Sequence, residues 1–167
     1  VEYYSQKGLF RNFNNYEYNK SSNLSFDRYS FRANLDFLLT KDFTASVNFG
    51  TRFEERKGPN ITASDTYNEV FYELNHTPGW LFPVRYDNGY YGGNSQNQNN
   101  IEAKLSKGGF YQTTNNINET NFILNHKFDF ITQGLSAKAM VSFDYETTYD
   151  RRFTAGFATY ELINRDY

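Results

Sequence analysis

Apolar and polar side chains alternate along two neighbouring stretches near the start of the chain. In the first stretch the odd positions are mostly aromatic or aliphatic, and the even positions between them are charged or polar. Successive side chains of a β-strand point to opposite faces, so this period of two predicts strands with one apolar and one polar face. We place the strands at about 25–39 and 43–56, joined by a tight turn at 40–42, which makes a β-hairpin.

The same design recurs near the end of the chain. Strands are predicted at about 120–130 and 135–149, with a turn at 131–134, and a fifth strand is predicted at about 1–10. The alternation has few exceptions, which are Leu38, Ile123, His126 and Met140. A pattern shared by four strands is typical of a sheet that meets two different environments on its two sides.

The alternation assigns side chains to the two faces of the predicted sheet. The apolar face carries Tyr29, Phe31, Leu35, Phe37, Phe43, Val47, Phe49, Phe122, Leu124, Phe128, Val141 and Phe143. The polar face carries Arg28, Arg32, Asp36, Arg52, Glu54, Asp144 and Glu146. A slip of one residue in strand pairing would exchange the two sets, so the register is strongly specified.

The predicted connections differ greatly in length. The turns at 40–42 and 131–134 are short, whereas the loops at about 11–24 and 56–119 are long. Outer-membrane β-barrels combine short periplasmic turns with long extracellular loops, and compact soluble domains rarely carry so long a loop. A transmembrane antiparallel barrel is therefore favoured over a soluble sandwich or a lipocalin-like barrel, which also alternate.

Composition narrows the range of functions. Aromatic residues make up 20% of the 167 residues, yet the mean hydropathy is −0.78. The net charge of −2 gives no basic surplus for nucleic acid, and the absence of cysteine excludes disulfides and thiolate metal sites. The two histidines, His76 and His126, are far apart, and no nucleophile elbow or phosphate-binding loop occurs. We expect neither an enzyme nor a bound cofactor or metal.

These patterns predict that residues 1–167 form part of one barrel domain, with the turns in the periplasm and the loops outside the cell. Four or five strands leave two open edges, and each unpaired backbone group in hydrocarbon costs several kcal/mol. We therefore expect further strands beside these ones, in the same polypeptide or, as the less favoured alternative, in other chains. The polar face would line an aqueous lumen, and the apolar face would contact lipid.

The long loop contains a predicted helix and a group of aromatic side chains. Tyr67, Val70, Phe71 and Leu74 fall at helical spacing after Ser64-Asp65, where Ser64 can cap the helix and Asp65 suits its positive end. Exposed aromatics can stack on sugars or anchor a protein interface. The candidates for substrate or partner contact are Trp80, Tyr86, Tyr90 and Tyr91. The alternative is that these rings pack on one another.

Residues 26–60 (FDRYSFRANLDFLLTKDFTASVNFGTRFEERKGPN) resemble the SusC/RagA-like family of TonB-linked outer-membrane transporters found in Bacteroidota. The family has an aromatic-x-Arg-Tyr-x-Phe-Arg-x-Asn-x-Asp strand followed by a Thr-Lys turn. The matching residues are Arg28, Tyr29, Phe31, Arg32, Asn34, Asp36, Thr40 and Lys41. Residues 3–10 are similar to the strand that leads into this motif, and residues 121–146 to a later hairpin in which Gly-Leu-Ser follows the turn.

The resemblance implies a 22-stranded barrel in the bacterial outer membrane, closed by an N-terminal plug and opened by TonB. It also implies a SusD-like surface lipoprotein as partner and the import of glycans, peptides or other nutrients. Neither the plug nor a TonB-binding segment lies within these residues. A passive porin-like channel and a SusC-like barrel that serves as a structural component of a larger assembly are the alternative functions.

Overall fold

The structure, a computed structural model, describes residues 1–10, 23–61 and 66–163. Its elements, in chain order, are β1 (Glu2–Lys7), β2 (Ser25–Thr40), β3 (Phe43–Pro59), α1 (Thr66–His76), α2 (Ile101–Lys107), β4 (Gly109–Lys127) and β5 (Ser136–Thr154). The strands form one antiparallel sheet in the order β1–β2–β3–β4–β5. The sheet is open, with β1 and β5 at its edges, so the described residues do not close into a barrel.

The predicted all-β antiparallel architecture is confirmed, and so is a helix in the long loop. Helix α1 covers the stretch where apolar residues fall at helical spacing, although Ser64 and Asp65 lie outside the described residues. Helix α2 was not predicted, because its seven residues are too few to show a period. Within the described ranges, neither helix is long and apolar enough to cross a membrane.

Strand β4 begins earlier, and β3 ends later, than the alternation predicts. β4 starts at Gly109 rather than near residue 120, and β3 continues to Pro59, so the predicted 56–119 loop is reduced to 60–108. The Asn60 N–H donates to the Gly109 carbonyl at 3.1 Å, and Gly109 adopts a φ of +99° that glycine tolerates. Residues 109–119 are mostly polar on both faces, so the sequence shows no clear period there.

The second hairpin turn is longer than predicted. β4 ends at Lys127 and β5 begins at Ser136, whereas the sequence predicts a turn at 131–134 alone. The Phe128 carbonyl accepts the N–H groups of Ile131 and Thr132 at 2.9 and 3.2 Å, and these bonds turn the chain at once after β4. The Asp129 carboxylate accepts the Gly134 N–H at 2.8 Å, and Gly134 has a φ of +82°.

Strand β1 is shorter than the predicted 1–10 because its pairing with the chain that precedes β2 ends in side-chain bonds. The Gly8 N–H donates to the Leu24 carbonyl at 2.6 Å. Beyond this point side-chain bonds of Asn23 replace the main-chain pairing: Asn23 accepts the Phe10 N–H and donates to the Gly8 carbonyl. Of the predicted 11–24 loop, residues 11–22 lie outside the described residues.

The chain divides into two compact units. Unit 1 consists of Val1–Gln6, Phe26–Glu55 and Thr114–Tyr149, which supply strand segments and both short turns. Unit 2 consists of Lys7–Ser25, Arg56–Thr113 and Asp150–Tyr167, and it contains both helices. The buried apolar side chains of the described residues all belong to unit 2: Val70, Tyr91, Ala103, Leu105 and Tyr111. Unit 1 therefore has no enclosed apolar core of its own.

Candidate functional sites

The apolar side chains of unit 1 lie on an uncovered surface of the sheet. Most of the predicted apolar-face residues are exposed, and on β5 the side chains of Val141 and Phe143 are 66% and 64% exposed. Phe43, Val47 and Phe128 are half-buried among neighbouring side chains. A soluble sheet buries such a face under helices or a second sheet, and unit 1 contains neither. An apolar patch of this extent marks a surface that contacts lipid or protein.

A row of aromatic rings crosses the sheet near the loop end of this face. The rings of Tyr3 and Tyr29 stack with their centroids 4.8 Å apart, and Tyr29 lies 6.4 Å from Phe53. The row therefore links β1, β2 and β3. The Tyr3 hydroxyl also donates to the Asp27 carboxylate at 3.1 Å, which gives the row a polar rim.

A second row lies near the short turns. The ring of Phe43 packs edge-on against His126 at 5.5 Å, and His126 packs against Phe128 at 4.4 Å. Phe130 continues the row at 5.9 Å from Phe128. His126 Nδ1 lies 2.9 Å from the Asp42 carbonyl, so Nδ1 carries a proton and donates it. The histidine that broke the apolar alternation thus joins an aromatic row with its polar atom directed to the turn.

The separation of the two rows fits the thickness of a membrane. At about 3.3 Å per residue, Phe43 and Phe53 lie roughly 33 Å apart along β3. Barrel strands are tilted by about 35–45°, which reduces this distance to roughly 25 Å along the barrel axis. The apolar band of outer-membrane barrels is about 25 Å tall and is bordered by aromatic girdles on both sides.

The opposite face of unit 1 is charged and open to water. Arg28 pairs with Glu2 of β1 at 3.0 Å, and Arg52 pairs with Glu54 two residues along β3 at 3.2 Å. A shallow concavity of about 450 Å³ has side chains from β1 to β4 in its lining, among them Arg28, Arg32, Arg52 and Glu119. Asp36, Asp144 and Glu146, which are also predicted to face the lumen, are exposed.

The four predicted contact aromatics of the loop occupy different environments in unit 2. Trp80 is 84% exposed and lines a concavity of about 540 Å³ together with Tyr86. Tyr90 is exposed and packs on Tyr160 with centroids 4.6 Å apart. Tyr91 is only 8% exposed. The structure therefore leaves Trp80, Tyr86 and Tyr90 available for contact and makes Tyr91 part of the core.

The burial of Tyr91 follows from a polar network that the sequence did not reveal. The Tyr91 hydroxyl lies 2.8 Å from Ser106 Oγ and accepts a bond from Arg85 at 3.1 Å. The Arg85 guanidinium also lies over the Tyr91 ring, 4.8 Å from its centroid, and is ion-paired with Glu102. The hydroxyl, the single polar atom of the Tyr91 side chain, is thus engaged within the loop itself.

Asn100 connects helix α2 to the segments that carry the contact aromatics. Its Oδ1 accepts the Ala103 N–H at 3.1 Å and caps the helix. Its Nδ2 donates to the carbonyls of Val84 and Gly92, at 2.6 and 3.0 Å. Asn100 is buried, and its bond to the Gly92 carbonyl is shielded from water. An Asn before a short polar-apolar run is a capping signal, but the surrounding Asn-rich stretch conceals it.

We expect Asn100→Ala to destabilise unit 2 by about 2–3 kcal/mol, because it removes the cap, takes the buried donor from the Gly92 carbonyl and leaves the Val84 carbonyl with only the Gly92 N–H at 3.3 Å. Hydrogen exchange of the Ala103 and Lys104 amides measures this loss as faster exchange. The matched control is Asn99→Ala, whose exposed neighbouring side chain should change the free energy by less than about 0.5 kcal/mol. Equal exchange in both variants would contradict the role assigned to Asn100.

Comparison with known proteins found no matching family model and no matching curated protein. The features that bear on function are the two-faced sheet, the aromatic rows and the loop surface. Residues 26–60 and 121–146 also resemble strands of the SusC/RagA-like family.

Proposed function

We propose that this chain forms part of the wall and outer loops of a SusC/RagA-like transporter in the bacterial outer membrane. The observation that carries the proposal is the uncovered apolar face of unit 1, bordered by two aromatic rows and backed by a charged face. A lipid bilayer on one side and water on the other would satisfy both faces at once. The resemblance of β2 to the family's strand motif supports the same assignment.

In this proposal the open sheet belongs to a closed barrel. β1 and β5 present unpaired edges, which hydrocarbon does not tolerate, so neighbouring strands would pair with both. β4 and β5 each span 19 residues, whereas about 9–11 residues suffice to cross the bilayer. The surplus would extend the wall beyond the outer leaflet and support the 60–108 loop outside the cell.

Transport would follow the polar face. The charged side chains of Arg28, Arg32, Arg52, Asp144 and Glu146 would line the lumen, where they interact with water, plug or passing solute. Energy would come from TonB acting on a plug domain, as the family resemblance implies, and a SusD-like lipoprotein would cover the outer opening. Trp80, Tyr86 and Tyr90 would contact the substrate or that lipoprotein, because they combine exposure with a concave surface.

TonB-coupled transport requires an energy source, and the effect of removing TonB can be tested. In a strain whose only uptake route for a glycan or peptide is this protein, growth on that nutrient should stop when TonB is deleted, while growth on a small nutrient that diffuses through porins should continue. Growth that continues on that nutrient in the absence of TonB would contradict TonB-coupled import and would indicate a passive channel.

Trp80→Ala is expected to weaken substrate or lipoprotein binding about tenfold, which corresponds to about 1.4 kcal/mol. The reason is that the indole supplies the largest exposed aromatic surface of the concavity. The control is Tyr72→Ala on α1, an exposed aromatic that does not line this concavity and should leave binding unchanged. Concentration dependence of uptake, or of lipoprotein capture, measures the difference. The same loss in both variants would remove Trp80 from the proposed contact surface.

A further inference from the structure

A short extended segment of the chain lies across the loop surface that carries Tyr86 and Tyr90. This segment, residues 159–162, is called the strap here. The Tyr160 N–H donates to the Tyr91 carbonyl at 2.8 Å, and the Tyr160 carbonyl accepts the Gly93 N–H at 3.0 Å. Tyr160 thereby forms an isolated parallel β-bridge with Gly92. The strap is held to the loop by main-chain pairing, in the manner of a peptide added to a sheet edge.

Side chains on either side of Tyr160 add further contacts. The ring of Tyr160 packs on Tyr90. The Glu161 carboxylate accepts the Ser95 N–H at 3.3 Å, and the Leu162 N–H donates to the Tyr86 hydroxyl at 3.2 Å. One aromatic ring, one carboxylate and three main-chain groups therefore define what this surface recognises.

Gly93 shapes the surface to receive a backbone, whereas a Cβ at Gly92 would meet Pro83 of the loop itself. Gly93 is buried, and a Cβ at that position would meet the Thr159 side chain, with Oγ1 at 2.5 Å and Cβ at 2.6 Å. The other neighbour of this Cβ, the Asn97 carbonyl, would be 3.4 Å away. The closest contacts of Gly93 therefore come from the strap and not from the rest of the loop. A glycine here permits the strap to approach closely enough to form main-chain bonds.

The strap covers the surface incompletely. Concavities of about 540 and 340 Å³ remain beside it, and both include Tyr86, Glu161 and Leu162 in their linings. Leu162 and Ile163 keep their apolar side chains exposed. Tyr160 is thus the single large side chain that anchors the strap, and most of the strap's contacts lie near solvent.

We propose that the surface formed by residues 86–95 is a docking site for an extended polypeptide segment with an aromatic side chain followed by a carboxylate. Residues 159–162 are its resident occupant and leave when such a segment binds in their place. The recognition rests on main-chain pairing with Tyr91 and Gly93, on packing against the tilted ring of Tyr90 and on the Ser95 N–H. This site does not depend on the membrane assignment, because every group in it belongs to unit 2.

The test uses a fluorescent peptide with the sequence of residues 157–163 (FATYELI) and the purified full chain in detergent. Fluorescence anisotropy measures its binding to the unaltered protein, to Tyr160→Ala and to Gly93→Ala. Tyr160→Ala removes the anchor of the strap and leaves the docking surface open, so the peptide should bind at least tenfold more tightly than to the unaltered protein. Gly93→Ala releases the strap too, but its added methyl group also blocks the incoming peptide, so binding should be lost.

Two controls separate docking from unfolding and from non-specific adhesion. The same peptide carrying Tyr160→Ala should not bind, and Tyr72→Ala in the protein should behave as the unaltered chain does. Hydrogen exchange of the Ala103 amide should stay slow in Tyr160→Ala, which shows that the loop remains folded. Equal peptide binding to Tyr160→Ala and Gly93→Ala, or no gain in Tyr160→Ala, would overturn the proposal. So would a dimer of the unaltered protein that Tyr160→Ala abolishes, because the occupant would then be a second copy of this chain.

Discussion

Phe49→Arg is expected to abolish assembly of the protein into the outer membrane, whereas Asn48→Arg, one residue away, should leave assembly intact. Phe49 lies on the apolar face, where it packs 6.2 Å from Phe31 in the middle of the sheet. An arginine facing lipid near the bilayer midplane costs about 2–4 kcal/mol, and one facing an aqueous lumen costs little. Phe31→Arg and Ser30→Arg form a second pair on β2 with the same expected contrast.

Outer-membrane fractionation and protease resistance of the folded protein measure the result. Phe49→Ala is the control for lost packing, because it removes the ring contact with Phe31 and adds no charge. It should reduce stability and still allow assembly. If Asn48→Arg blocks assembly as completely as Phe49→Arg does, the two faces of the sheet do not meet different solvents.

Lys104→Met is expected to destabilise the contact between α1 and α2 by about 2–4 kcal/mol. Lys104 donates to Glu73 at 2.7 Å and to Glu69 at 3.2 Å, and Glu73 is only 4% exposed. Removal of the ammonium group leaves the Glu73 carboxylate buried without its partner. Hydrogen exchange of the α1 and α2 amides measures the loss. Adding Glu73→Gln to Lys104→Met should recover much of it, because the double variant contains no buried charge.

The same ion pairs determine how the loop responds to alkali. Burial alone would lower the pKa of Lys104, but the bonds and charges of Glu73 and Glu69 outweigh it and hold the pKa above its usual 10.5. A raised pKa in the folded state means that the stabilisation is complete below the unfolded value and is lost as pH rises through the folded one. We therefore expect the α1–α2 contact to be insensitive to pH near neutrality and to weaken above about pH 10.5. A loss of stability already between pH 7 and 9 would contradict this assignment.

The sequence predicted the sheet best where its two faces differ most. From Tyr29 to Leu39 and again from Phe43 to Phe49 every second residue is apolar, and the strands of the structure lie where that period is strong. In the first part of β4 the neighbouring side chains of Asn115 and Asn116, which point to opposite faces, are both polar, so the period disappears although the strand continues. Pairing with β3 and β5 defines that segment, and pairing partners cannot be inferred from local alternation.

The loop was predictable in part, for a similar reason. Helix α1 has enough residues to show a helical period, whereas α2 depends on the cap and the long-range bonds of Asn100. The sequence places Tyr91 with the exposed aromatics, because its burial depends on Arg85 and Ser106, which contact it only after folding. The strap was missed because a single bridge between Gly92 and Tyr160 leaves no repeated pattern in the sequence.

Site-directed spin labelling of adjacent positions on β3 tests the central claim most directly. The chain has no cysteine, so Phe49→Cys and Asn48→Cys each give one labelled site without background. In membranes, the label at position 49 should collide mainly with oxygen, which concentrates in lipid, and the label at position 48 mainly with a water-soluble nickel complex. Two labels with the same preference for water, or a label at position 49 shielded from both reagents, would contradict a sheet that separates lipid from an aqueous lumen.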